Sequence, residues 1–376
     1  MNKKILTVFG TRPEAIKMAP VALGLADNSH FDAEICITAQ HREMLDQVMS
    51  IFSLEADHDL NLMRPGQDLY DITSKVLLGM RDVLRESRPD IVLVHGDTTT
   101  CFAAGLAAFY EGVALGHVEA GLRTGNMQAP FPEEANRSLV GRLANYHFAP
   151  TEVAKNNLLN ENIDPATIFV TGNTVIDALL IAREKTASMP QNHWSQLFGQ
   201  EIYQQIASPD KKMILITGHR RENFGDGFVN LCNAIKELAI KHPDWMLIYP
   251  VHLNPNVQRP VNEILSGLSN VHLIPPQEYL PFVWLMDQSD VILTDSGGVQ
   301  EEGPSLGKPV LVMRDVTERP EAVDAGTVKL VGTDTQKIVT NIESVLLDKE
   351  IYNSMARAIN PYGDGKATER IVKILS

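Results

Sequence analysis

Carboxylates stand directly after apolar runs at several points of this chain. His95-Gly96-Asp97-Thr98 follows DIVLV, His117-Val118-Glu119-Ala120 follows VALG, and Glu133-Glu134 open a helical stretch after Phe131-Pro132. Each residue alone would serve as well as a helix cap or dipole partner. Three of them converging on one crevice would raise one another's pKa and supply proton-transfer groups. A second set of residues is built for an anion. Val291-Ile292-Leu293-Thr294 ends in Asp295-Ser296-Gly297-Gly298, and helix formers follow. Glycines let a ligand oxygen approach the backbone, and the first amides of a helix are unpaired donors at the positive end of its dipole, so phosphate is the natural ligand. Thr217-Gly218-His219-Arg220-Arg221 ends another apolar run and offers an imidazole and guanidinium groups to a departing phosphate. Gly10-Thr11-Arg12-Pro13-Glu14 with Lys17 brings further cations to the first turn. DSGG also surrounds the nucleophile of trypsin-like proteases, but those are secreted, disulfide-bonded β-barrels, and here the serine follows a strand in a βα pattern.

The elements that must position these groups are legible as apolar runs alternating with helical patterns. ILTVFG, AEICITA, DIVLVHG, VALGHVEA, YHFAPT and TIFVTGN occupy the first half, and MILITGHR, MLIYPVH, VHLIP, DVILTDSGG, KPVLVM and VKLVG the second. That is the signature of parallel sheets. A helical connector after Gly172-Asn173 and a polar region from Met189 to Lys212 separate the halves. The expectation is α/β, with two Rossmann-like domains facing across a cleft. The first domain is 1–173 plus a returning helix at 363–376, carrying the carboxylates; the second is 174–362, carrying the anion site. In such sheets ligands bind beyond the carboxyl ends of the strands, where these residues stand.

A chain of 376 residues exceeds what one core usually organises, which supports two domains. The net charge of −14 argues against nucleic acid and anionic membrane surfaces as partners, so an anionic ligand has to be held by local cations and amides. Cys36, Cys101 and Cys232 lie far apart in apolar segments, as buried thiols of a reducing cytoplasm do. The opening MNKKILTVFG has an apolar run too short for a signal peptide, and no run approaches membrane-spanning length. No G-x-G-x-x-G follows the first strand and no G-x-x-x-x-G-K-[ST] occurs, which disfavours dinucleotide redox cofactors and P-loop chemistry. Asp57 and Asp59 form a D-x-D in a polar loop away from any strand end, and metal binding is not expected there.

Taken in order, FGTRPEAIKMAP, TAQHREMLDQV, VHGDTTT, HVEAGLRTG, FPEEANR, TGHRRENFG, PVHLNPNV, PQEYLPFVWLM, LTDSGGVQEE, GKPVLVMRDVTERPEA and NPYGDG resemble the non-hydrolysing UDP-N-acetylglucosamine 2-epimerases over essentially the whole chain. The resemblance implies the glycosyltransferase-B architecture and the interconversion of UDP-N-acetylglucosamine and UDP-N-acetylmannosamine. It implies elimination of UDP to 2-acetamidoglucal and re-addition, without a metal or other cofactor, in support of surface polysaccharide synthesis. A cytoplasmic homodimer is the family expectation.

Carried over residue by residue, the resemblance makes Asp97, Glu119, Glu133 and His219 the catalytic groups. Ser296, Gly297 and Gly298 become the diphosphate cradle, with Arg12 on the phosphates; Glu302 becomes the ribose ligand, Gln277 to Phe282 the uracil pocket, and Lys17 and Arg319 further site residues. Some bacterial members bind a second UDP-N-acetylglucosamine as activator, and Gln40, His41, Arg42, Arg220 and His252 stand at the corresponding positions. The nearby Met63 to Gln67 carries Pro-Gly where activator-dependent members are expected to carry a longer polar side chain.

Overall fold

The structure, a computed structural model, describes residues 2–39, 42–62, 64 and 66–376. The chain divides into two compact units, Met1–Ala178 with Tyr362–Ser376, and Leu179–Pro361. The division falls inside the helix Thr174–Ser188.

The first unit holds a sheet of strands β1 (Lys3–Phe9), β2 (Phe31–Ile37), β3 (His58–Asp59), β4 (Ile91–His95), β5 (Ala114–Val118), β6 (Tyr146–Ala149) and β7 (Ile168–Val170) in the order β3-β2-β1-β4-β5-β6-β7. Every pairing is parallel. Strand β4 is buried along its whole length, as strands covered on both faces are, which is why Ile91-Val92-Leu93-Val94 reads as a continuous apolar run without alternation. Leu6, Val8, Val92 and Val94 pack with Met80, Val83 and Ala104 from the helices Leu69–Ser87 and Thr99–Tyr110. Strand β5 lies close to its neighbours at Gly116, where a Cβ would meet Leu93 Cδ2 at 2.5 Å. The His58–Asp59 strand corrects the reading of this segment as loop. Two edge residues pairing Cys36↔His58 and Ile37↔Asp59 leave no periodicity to read. The helix Ala367–Leu375 is tied to this unit by Asp177, whose carboxylate accepts from the amides of Thr368 (2.8 Å) and Ala367 (3.2 Å).

The second unit holds β8 (Met213–Thr217), β9 (Met246–Pro250), β10 (Val271–Ile274), β11 (Val291–Thr294), β12 (Val310–Val312) and β13 (Val328–Leu330), ordered β10-β9-β8-β11-β12-β13 and again all parallel. Ile214, Ile216, Leu247, Leu293 and Leu311 meet Phe228, Leu231, Ile235 and Ile338 of the helices Asp226–Lys241 and Thr335–Leu347. The polar stretch before β8 contains the helices Gln191–Phe198 and Gln200–Ile206, whose Trp194 stacks on Trp284 at 4.5 Å. In each sheet the strand order reverses beside a central strand, between β1 and β4 and between β8 and β11. The crevices at such reversals are where open parallel sheets take ligands.

Candidate active site

In the first unit the ends of β1, β4, β5 and β7 bring one set of groups together. Thr11 caps the helix Arg12–Ala26 in a reciprocal capping box with Glu14. The buried Glu14 carboxylate accepts from the amides of Gly10 (3.0 Å) and Thr11 (2.8 Å) and from the Thr98 hydroxyl, joining the turn after β1 to the turn after β4. Lys17, one turn further along that helix, forms an ion pair with Oε2 of Glu119 at the end of β5. The same oxygen accepts from Asn173 Nδ2 at 2.8 Å, after β7, and lies 3.8 Å from Nε2 of the buried His95. Glu119 has φ +65°, a conformation that costs a non-glycine residue about 1–3 kcal/mol and is concentrated at functional sites.

Asp97 occupies the turn after β4. Burial pushes its carboxyl above the usual aspartate range; the Arg137 guanidinium opposes this, and the charges of Glu119 and Glu133 add to it. Arg137 lies 3.5 Å from Asp97 Oδ2, and Asn136 Nδ2 donates to the Asp97 carbonyl at 2.9 Å. Both come from the helix Glu133–Leu143, which Glu133 opens half-buried. Its neighbour Glu134 is buried and occupied, taking the amides of Thr124 (3.1 Å) and Gly125 (2.9 Å) and an ion pair with Arg137 at 2.8 Å. Behind these turns two histidines are held neutral. Burial drives His95 down to about 4 and His117 down to about 3, while His117 Nε2 donates to the Gly96 carbonyl at 2.7 Å. An uncharged scaffold thus carries two carboxylates in unlike surroundings, one beside an ammonium and one pushed toward its protonated form. Groups so separated can act as acid and base in one reaction.

In the second unit, β11 ends at Thr294 and, after Asp295, Ser296 leads into the helix Gly297–Ser305. The Ser296 amide donates to Thr294 Oγ1 at 2.9 Å, and Gln300 Nε2 donates to the Ser296 carbonyl at 3.1 Å, so the turn is held from both sides. A Cβ at Gly297 would lie 3.7 Å from the Arg220 guanidinium, which places that cation beside the helix start. Asp295 is wholly buried and accepts through Oδ2 from the amides of His219 and Arg220, each at 2.8 Å, binding the loop after β8 to the end of β11. The His219 ring stacks on His252 at 5.3 Å between centroids. Glu302 is buried on the same helix, where Tyr279 donates to it at 3.4 Å; Phe282, on the helix Tyr279–Gln288, is half-buried. Backbone amides of the turn after β11, with a guanidinium and an imidazole from the loop after β8, suit a diphosphate.

The other sequence candidates fall as follows. Arg319 is engaged by the buried Glu301, Gln277 Nε2 donates to the Pro275 carbonyl at 2.6 Å, and Arg12 is half-buried in the first helical turn. Arg42 pairs with Asp59 at 2.6 Å and Asp46 at 3.3 Å, in the first unit, whereas Arg220 and His252 belong with His219 in the second. Gln40, His41, Met63 and Pro65 lie outside the described residues. Glu14, Asn173, Arg137 and Asp295 were given no role by the sequence. Only Glu14 carried a local signal, the T-x-x-E spacing of a capping box.

The sequence model of the family described as UDP-N-acetylglucosamine 2-epimerase matches residues 24–376. The chain is 60% identical over 372 residues to the UDP-N-acetylglucosamine 2-epimerase of Escherichia coli K12, covering 99% of this chain and 98% of that one. It is 58% identical over 374 residues to the enzyme of that name from Yersinia pestis, with the same coverage of 99% and 98%. The crystal structure of UDP-GlcNAc 2-epimerase from Neisseria meningitidis bound to UDP-GlcNAc superposes with a TM-score of 0.88 at 56% identity, covering 99% of both chains.

Proposed function

The chain belongs to the UDP-N-acetylglucosamine 2-epimerase family, and we propose that it interconverts UDP-N-acetylglucosamine and UDP-N-acetylmannosamine by eliminating and re-adding UDP. The carbon-2 proton of the sugar has no carbonyl beside it to make it acidic. In the proposed route a base removes it as the bond from carbon 1 to the diphosphate oxygen breaks. The C–H electrons become the C1–C2 double bond of 2-acetamidoglucal, and the C1–O electrons leave with UDP. Return of a proton to the opposite face of carbon 2, with UDP re-forming the bond to carbon 1, completes the inversion.

The observation that carries this reading is the pair Asp97 and Glu119 on adjacent strand ends, one carboxyl raised by burial and the other held by Lys17 and Asn173. An epimerisation through a planar intermediate needs a proton taken on one face and given on the other, which two differently tuned carboxylates supply. Glu133 is the third carboxylate of the set. The turn Ser296 to Gly298 with Arg220 and His219 supplies the other requirement, stabilisation of the negative charge that builds on the leaving diphosphate. The nucleotide sugar bound in the Neisseria meningitidis relative supports the same ligand here. Glu302 is assigned to the ribose and Phe282 to the base. The reading includes a cytoplasmic homodimer feeding surface polysaccharide synthesis; family membership supports these points.

The test is to incubate the protein with UDP-N-acetylglucosamine in heavy water and follow the sugar signals by NMR. UDP-N-acetylmannosamine carrying deuterium at carbon 2, with free UDP at a trace, is the expected result. Stoichiometric UDP with free N-acetylmannosamine would make the protein a hydrolysing epimerase and overturn the re-addition step.

A further inference from the structure

Asp295 has zero exposure, and its carboxylate is divided between two tasks. Oδ2 takes the backbone amides of His219 and Arg220 at 2.8 Å each, with Asn223 Nδ2 at 3.5 Å. Oδ1 has no hydrogen-bond partner among the described residues, yet it lies 3.5 Å from Nδ1 of the His219 ring. A fully buried carboxylate oxygen without a donor is costly, and the imidazole N–H would satisfy it on moving several tenths of an ångström closer. The neighbouring ring is fixed differently: His252 Nδ1 accepts from the Asn254 amide at 3.1 Å, which leaves its own proton on Nε2.

We propose that Asp295 is a positioning residue for His219. Its Oδ1 holds the proton of the imidazole on Nδ1 and balances the charge of the doubly protonated ring, whose Nε2–H then donates to the departing diphosphate. The inference rests on the reading of His219 as a phosphate-facing group. It adds that the aspartate of the glycine-rich turn acts through the histidine of another strand end, 76 positions away in the sequence. The two backbone hydrogen bonds to Oδ2 make the pairing rigid, because they fix the loop that carries the ring in the same contact that aims the carboxylate.

Asp295→Asn separates this role from a purely structural one. The asparagine oxygen can keep both amide bonds, while its NH2 group faces His219 Nδ1 and forces that nitrogen to accept. With UDP bound, nitrogen-15 NMR of the His219 ring, assigned with His219→Gln, should show Nδ1 protonated in the wild type and unprotonated in Asp295→Asn. The variant should lose about 100-fold or more in kcat with UDP affinity within about threefold. An unprotonated Nδ1 in the wild type would overturn the proposal, and that measurement stands even if the variant fails to fold. An unchanged proton position or kcat in a folded Asp295→Asn would overturn it equally. If wild-type protein converts no UDP-N-acetylglucosamine while the proton moves as expected, the epimerase reading fails and the Asp295–His219 relationship stands.

Discussion

Asn173 donates its side-chain amide to Glu119 Oε2 at 2.8 Å, and the Lys17 ammonium meets the same oxygen. The cation therefore comes from the helix after β1 and the amide from the turn after β7, and both converge on a carboxylate at the end of β5. Removing Lys17 takes its ammonium away from a nearly buried carboxylate. Lys17→Met should destabilise the fold by on the order of 2–4 kcal/mol, and adding Glu119→Gln should restore part of that loss. A double-mutant cycle from urea melts checks the coupling.

The backbone of Glu119 is expected to be strained, because its φ of +65° lies in the left-handed region that disfavours a residue with a Cβ. Glutamine retains the strain and glycine removes it. Both Glu119→Gln and Glu119→Gly should lose turnover while binding UDP normally, but Glu119→Gly should unfold at no lower denaturant concentration than Glu119→Gln. A clearly less stable glycine variant would show that the left-handed conformation is not strained here.

At Gly297 and Gly298 an added Cβ finds its nearest neighbours at 3.7 Å and 3.8 Å, ordinary contacts, and neither residue has a positive φ. The glycines are therefore not required by the fold. Gly297→Ala and Gly298→Ala should keep the melting temperature within a degree or two of the wild type and weaken UDP binding about tenfold or more, since the methyl group would occupy the approach of the phosphate oxygens. Calorimetric titration with UDP measures this directly.

His117 and His95 titrate near 6.5 in the unfolded chain and at about 3 and about 4 in the folded one. Between these values the unfolded chain binds more protons, so stability is complete above about 6.5 and falls as the pH drops toward 4. In His117→Gln the amide can still donate to the Gly96 carbonyl, and the slope of unfolding free energy against pH in that window should become shallower by up to about 1.4 kcal/mol per pH unit.

The inner strands β8, β9, β11 and β12 of the second sheet could be read as apolar runs, because a strand covered on both faces is apolar nearly throughout, and the edge strands β10 and β13 were read although they carry His272 and Lys329. The two-residue β3 could not, and with it went the strand context of Asp59. Strand-end residues were legible as candidates because parallel sheets take ligands at one end only. Their supports were not. Asn173 is 54 positions from Glu119 and Asp295 is 76 from His219, and no local pattern encodes such a pairing. Glu134 illustrates the converse: beside Glu133 in sequence and of the same residue type, it is consumed by the amides of Thr124 and Gly125.

The central claim is that the bond between carbon 1 and the diphosphate breaks during each inversion, with the carboxylates of the first unit handling the proton. UDP-N-acetylglucosamine labelled with oxygen-18 in the bridging position between carbon 1 and the β-phosphorus tests it most directly. Once UDP is free to turn within the site, the label should spread into the non-bridging β-phosphate oxygens as epimerisation proceeds, visible as a phosphorus-31 isotope shift. Asp97→Asn and Glu119→Gln should abolish both the spread and the epimerisation while binding UDP. Epimerisation with the label still wholly in the bridge would contradict the account.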